Sequence, residues 1–252
     1  MRTIGGKFPR NKTIFSYCIV MEKEVVELLL KLLAVIASCI LLLNGCASFA
    51  KGEEKVNEQL FQAAKRGETD IVKKLIEHGA NINAQNSNGQ TATMIATYHN
   101  DFETAKVLIE AGADVNIRDH MKNNPFLYAG AEGLIDILKL TIKAGADPSI
   151  TNRYGGTALI PASEHGYVDV IQELLSHTEI DVNHVNNLGW TALLEAIILN
   201  DGNEKQQQTV QLLIDNGADV NLPDHENVTP LQHARERGFK EIGEILLKAG
   251  AK

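Results

Sequence analysis

From residue 57 to the end of the chain, apolar side chains recur in pairs one helical turn apart. Ile71-Val72 leads to Leu75-Ile76, Ile137-Leu138 to Thr141-Ile142, and Val170-Ile171 to Leu174-Leu175. That spacing paints one stripe along a helix and predicts an amphipathic helix in each stretch. A glycine closes each stripe, at Gly79, Gly112, Gly145, Gly217 and Gly250. A shorter apolar stretch precedes each long one. It opens after Thr91, Asn124, Thr157, Thr191 or Thr229, whose side-chain oxygens suit the N-cap position. Pro125 and Pro230 stand at the first helical position, where a missing N–H costs nothing. These first helices are expected to end at Gly67, Asn100, Gly133, Gly166 and Gly238, residue types that tolerate left-handed dihedrals.

The cap residues step by 33, 33, 34 and 38, and Gly79, Gly112 and Gly145 step by 33. A fixed period of this length means one helix pair repeated. No single pair can bury its stripe alone, so neighbours must stack. The expected fold is an all-α solenoid of six units, at 57–85, 86–118, 119–151, 152–185, 186–221 and 222–252. The recurring T-[AP]-L start, the closing glycine and the G-A-D-V-N that follows it resemble the ankyrin-repeat family over about 195 residues. Three departures stand out. The family's histidine after T-P-L is replaced by Met94, Leu127, Ile160, Leu194 and Gln232, so the hydrogen bonds it makes between units are expected to be weaker or absent. Pro161 lies about one turn inside a first helix and should delete a backbone hydrogen bond. Unit five carries extra residues in "NDGNEKQQQ", read as a tolerated insertion between its helices.

The N-terminal pattern is of another kind. Leu32 to Leu43 is aliphatic but for Ser38 and Cys39. It is short against the roughly 20 residues a bilayer needs and fits the apolar region of a signal peptide. Leu43-Asn44-Gly45-Cys46 resembles the bacterial lipobox. That resemblance implies lipidation at Cys46, removal of residues 1–45, and a tether from 46 to 56. Ala47 rather than Asp after the cysteine implies sorting to the outer membrane, with the repeats in the periplasm. An uncleaved membrane anchor is the alternative. Met21 is an alternative start, though the stretch from Met1 supplies more basic residues ahead of the apolar run.

Composition narrows the function. The chain carries 24 basic and 32 acidic residues, a net charge of −8, and the acidic excess falls after residue 45. Such a body repels phosphate backbones, so nucleic acid is not an expected partner. Cys18, Cys39 and Cys46 are the 3 cysteines, which leaves the repeats without a thiol nucleophile or a cysteine-based metal site. No phosphate-cradling glycine loop or H-E-x-x-H helix is present. His78, His99, His165 and His177 sit near helix ends, where the helix dipole favours them. Asp114, Asp147, Asp181 and Asp219 belong to the repeat's turn. No catalytic residue, metal or cofactor is expected.

The resemblance implies a non-catalytic protein-interaction module that uses its hairpin tips and first helices. The tips offer Arg118, His120, Met121 and Lys122, then Arg153 and Tyr154, then Leu188 and Trp190. The first helices add Tyr98, Tyr128, Glu132, His165 and Glu195. Aromatic and arginine side chains dominate binding hot spots, and basic tips on an acidic body favour an acidic partner surface. Trp190, between Gly189 and Thr191, could equally pack on the neighbouring hairpin. A factor acting on a small molecule through its histidines is the competing class.

Overall fold

The computed structural model describes residues 31–32 and 52–252. The aliphatic run after Leu32, Cys46 and most of the expected tether lie outside the described residues. Residues 55–252 form one compact unit.

Twelve helices and no strand occur among the described residues of 52–252, arranged as six pairs. The first pair is α1 (52–66) and α2 (Thr69–Glu77); the second is α3 (Ala92–Tyr98) and α4 (Phe102–Glu110). Next come α5 (Pro125–Ala131) with α6 (Ile135–Lys143), and α7 (Leu159–His165) with α8 (Val168–His177). The last are α9 (Ala192–Ile198) with α10 (Glu204–Asp215), and α11 (Pro230–Glu236) with α12 (Lys240–Lys248). Residues 52–56, expected as tether, are already helical in α1, whose Leu60, Ala63 and Ala64 dock on the core.

First helices pack on first helices and second on second, so one apolar interior runs the length of the stack. Ile137, Leu138, Val170, Ile171 and Leu174 are fully buried, as the stripe requires. Ile71 is the exception at 45% exposure. It belongs to the first pair and opens on a groove of about 420 Å³ with Gln59, Gln62, Arg66 and Leu75.

The capping pattern holds at four of five positions. Thr91, Asn124, Thr191 and Thr229 accept hydrogen bonds from the N–H of Met94, Leu127, Leu194 and Gln232. At each, the fourth residue after the cap donates its N–H to the cap's carbonyl at 3.0 Å. In α7 that fourth residue is Pro161, which has no N–H. The turn tightens instead: Ile160 N–H bonds the Thr157 carbonyl at 3.3 Å, and the helix begins two residues after Thr157 rather than one. The donor that would have reached the Thr157 hydroxyl is consumed, leaving that buried oxygen without a partner.

The four apolar replacements for the family's histidine, Met94, Leu127, Ile160 and Leu194, are all buried. Gln232, at the last unit, closes a capping box with Thr229. Hydrogen bonds between units run elsewhere, through the asparagine of G-A-D-V-N. Asn83, Asn116, Asn183 and Asn221 each accept the backbone N–H of a residue in the following turn: Asp114, Asp147, Asp219 and Lys252, at 2.7–2.9 Å. At the corresponding place Ser149 bonds Asp147 within its own turn, so the ladder skips the step from the third pair to the fourth.

The insertion in unit five is structured. It lengthens α10 to 12 residues, with Asn203 as N-cap. Asn200 and Gln206 both donate to the Glu164 carbonyl of the preceding pair, at 2.8 and 3.1 Å.

Candidate functional site

Each hairpin tip is folded by an Asx residue five positions before the cap: Asn86, Asp119, Asn152, Asn186 and Asp224. One side-chain oxygen of each accepts the N–H groups two and four residues ahead. The turn is thereby fixed without a long sheet. The residue two past the Asx is held outward. It is Met121, Tyr154 and Leu188 in three successive units, at 50%, 55% and 54% exposure. The flanking units carry Asn88 and Glu226 there.

Neighbouring tips are stitched together. His120 N–H bonds the Asn88 carbonyl and Asn187 N–H the Tyr154 carbonyl, both at 3.0 Å. The guanidinium of Arg118 reaches the Thr151 carbonyl at 2.8 Å and the Lys122 carbonyl at 3.2 Å. Arg153 lies 4.7 Å over the Tyr154 ring and places Nη1 3.9 Å from the Met121 sulfur. His120, Lys122 and Arg153 are exposed and Arg118 half-buried, so positive charge flanks the apolar side chains. Lys122 adopts a left-handed backbone (φ 62°) where Gly89, Gly155 and Gly189 stand in other tips. Trp190 is half-buried.

Tyr98 and Tyr128 pack edge to face, 4.5 Å between ring centres. The Tyr98 hydroxyl is already committed, donating to Asp119 at 2.6 Å and accepting from Asn123 at 3.0 Å. Burial, and then the Asp119 hydrogen bond, push its pKa up to about 12. The Tyr128 hydroxyl is raised by burial and by the nearby Glu132 charge. Glu132 and His165 are exposed, the His165 ring tilted against Tyr167 at 5.4 Å.

Glu195 is not offered to a partner: it is only 6% exposed and accepts a hydrogen bond from Asn186 Nδ2 at 2.7 Å. Burial, then the charge of Glu164, raise its pKa to about 7, against the lowering effect of Asn186. The homologous contact in the last unit is a hydrogen bond between His233 Nε2 and Asp224 Oδ2 at 2.8 Å. Burial raises the Asp224 carboxyl, but the Val228 N–H and His233 hold it below its usual range. Inner-face polar groups therefore brace hairpins, while the outward tips remain open. Among the described residues no group of three His, Cys, Asp or Glu side chains could hold a metal ion, and no helix is long and apolar enough to cross a membrane.

A stack of helix pairs with Asx-folded tips and an open, mixed apolar and basic edge is the architecture of a repeat-built binding protein. A family model described as ankyrin repeats (3 copies) matches residues 37–119 and 126–224. The chain belongs to the ankyrin-repeat family, whose domains are generally protein-interaction modules without catalytic activity.

An ankyrin repeat domain from Acinetobacter baumannii is 51% identical, covering 77% of this chain and 98% of that one, with a TM-score of 0.76. EF0377, an ankyrin repeat protein, is 39% identical over 75% of this chain and 96% of its own, with a TM-score of 0.73. YahD of Escherichia coli (strain K12), described as an ankyrin repeat protein, is 59% identical over 81 residues. That match spans 32% of this chain and 40% of YahD.

Proposed function

We propose that the protein grips an acidic protein surface along its hairpin tips, and that it does so in the bacterial cell envelope, lipid-anchored through Cys46. The observation that carries the first part is the row Met121, Tyr154 and Leu188, half-exposed in register on three adjacent tips and flanked by Arg118, Lys122 and Arg153. Large side chains that are already held in place lose little freedom on binding, so their burial contributes fully to affinity. The basic neighbours steer an acidic partner to this edge and repel wrong ones.

The test is a pull-down from envelope fractions with Arg118, Arg153 and Tyr154 substituted together. Loss of the recovered partner is expected; unchanged recovery rejects this edge.

Sequence alone supports the anchor. The aliphatic run ends in Leu43-Asn44-Gly45-Cys46, and two or three acyl chains make membrane release slow, at about 0.8 kcal/mol per buried CH₂. Outer-membrane sorting with the repeats in the periplasm follows from Ala47. Intact-mass spectrometry of protein extracted from membranes should show a chain starting at Cys46 plus acyl mass. A full-length chain would instead mean an uncleaved membrane anchor.

A further inference from the structure

The spacing of the three outward side chains restricts what can lie on them. Adjacent helix pairs pack about 8–10 Å apart. Arg153 spans one such step directly, touching Met121 of the neighbouring tip. Apolar groups must therefore recur in the partner at close to that interval and on one face. In an extended strand, same-face side chains recur every two residues, at about 6.7 Å and then about 13 Å, and the third residue points away. An α-helix brings every seventh residue back to nearly the same face after about 10.5 Å.

We infer that the partner segment is an amphipathic α-helix laid along the hairpin tips, with apolar residues at heptad spacing over Met121, Tyr154 and Leu188 and acidic residues beside them. The charge follows from the side chains around the row. Arg118, Lys122 and Arg153 flank the row, with Lys122 and Arg153 exposed and Arg153 against both Met121 and Tyr154. The one carboxylate in these two tips, Asp119, is buried and bonded to Tyr98, so the exposed charge on them is positive. Acidic residues flanking the seam of the helix reach these cations as they do across a coiled coil. A polyproline segment also repeats at about 9.3 Å. It is recognised in slots lined by aromatic rings, whereas this row has one ring and its three side chains stand exposed. The inference rests on the tip-binding reading above and specifies its partner.

The only tryptophan, Trp190, is half-buried two residues from Leu188 and reports on the row by fluorescence. The full chain is titrated with a synthetic helical peptide of about three heptads, leucine at one heptad position and glutamate on both flanks. Two controls are a same-composition peptide with the leucines out of heptad register and a proline-rich peptide of equal charge. A saturable signal is expected for the heptad peptide, about tenfold tighter than for either control and weakened by salt. Tyr154→Ala and Leu188→Asp, both at exposed positions and checked for unchanged helicity by circular dichroism, should each weaken it about tenfold.

No saturation, equal affinity for the out-of-register peptide, tighter binding of the proline-rich one, or indifference to both substitutions overturns the inference. If the peptides fail while partner recovery in the pull-down still depends on Arg153 and Tyr154, the helix is rejected and tip binding stands. If recovery is indifferent as well, both are rejected.

Discussion

A carboxylate on the inner face of a binding repeat would ordinarily be a contact residue, but Glu195 is placed where its charge has no cation to answer it. Asn186 supplies one hydrogen bond, and Glu164 adds like charge nearby. The group titrates at about 7 in the folded chain against 4.5 ordinarily, so the folded state binds the proton more tightly. By linkage, its favourable contribution is complete below about pH 4.5 and is lost as pH rises through about 7. Glu195→Gln keeps the acceptor for Asn186 and removes the titration. It should stabilise the protein at pH 8 by about 1–2 kcal/mol, after allowance for solvent screening, and leave it unchanged at pH 4. Chemical denaturation at both values checks this. Equal effects at the two would mean that Glu195 carries no buried charge.

At the scale of the element, α7 shows one residue reshaping a helix start. Pro161 removes a donor, Ile160 is diverted to the Thr157 carbonyl, and the Thr157 hydroxyl is stranded. Thr91→Ala and Thr191→Ala should therefore each cost about 1 kcal/mol, the usual value of an N-cap, whereas Thr157→Ala should be near neutral. That single cost corresponds to a melting shift of about 2–4 °C for a domain of this size. Pro161→Ala restores the missing N–H. On that background Thr157→Ala should become as costly as the other two, a coupling that a double-mutant cycle measures. Additive effects would show that the cap is blocked by something other than the proline.

At the scale of the whole molecule, the units are joined by the apolar interior and by the asparagine ladder. Asn183 both accepts from Asp219 N–H at 2.7 Å and donates to the Gly217 carbonyl at 3.1 Å. Stability in a linear array is a sum of unit and neighbour contributions. Asn183→Ala should cost about 1 kcal/mol and broaden the denaturant transition by loosening the last two units, while Ser149→Ala, at the missing rung, should do neither. Circular dichroism in urea distinguishes them. Identical behaviour would mean that the ladder contributes nothing to cooperativity. The ladder was open to sequence reading in the recurring G-A-D-V-N, but only as a turn. Asn116 and Asn183 reach the turn of the following unit, and no local pattern shows a bond across more than 30 residues.

The same division runs through the molecule. Periodicity, glycines and caps by themselves determined the helices, their pairing and the solenoid, because each rests on interactions within a few residues or on a repeat count. The family resemblance put Met121, Tyr154 and Leu188 among the tip residues, but that the three stand outward at one offset from an Asx residue was read only from the structure. Which polar residues face a partner was decided only by the packed structure. Glu195 and Tyr98 share a helix face with Glu132 and His165, yet Glu195 is sealed by Asn186 and the Tyr98 hydroxyl is engaged by Asp119. Burial depends on the hairpin packed over the helix, from its own unit or the next, and a one-dimensional pattern gives the face of a helix but not what covers it.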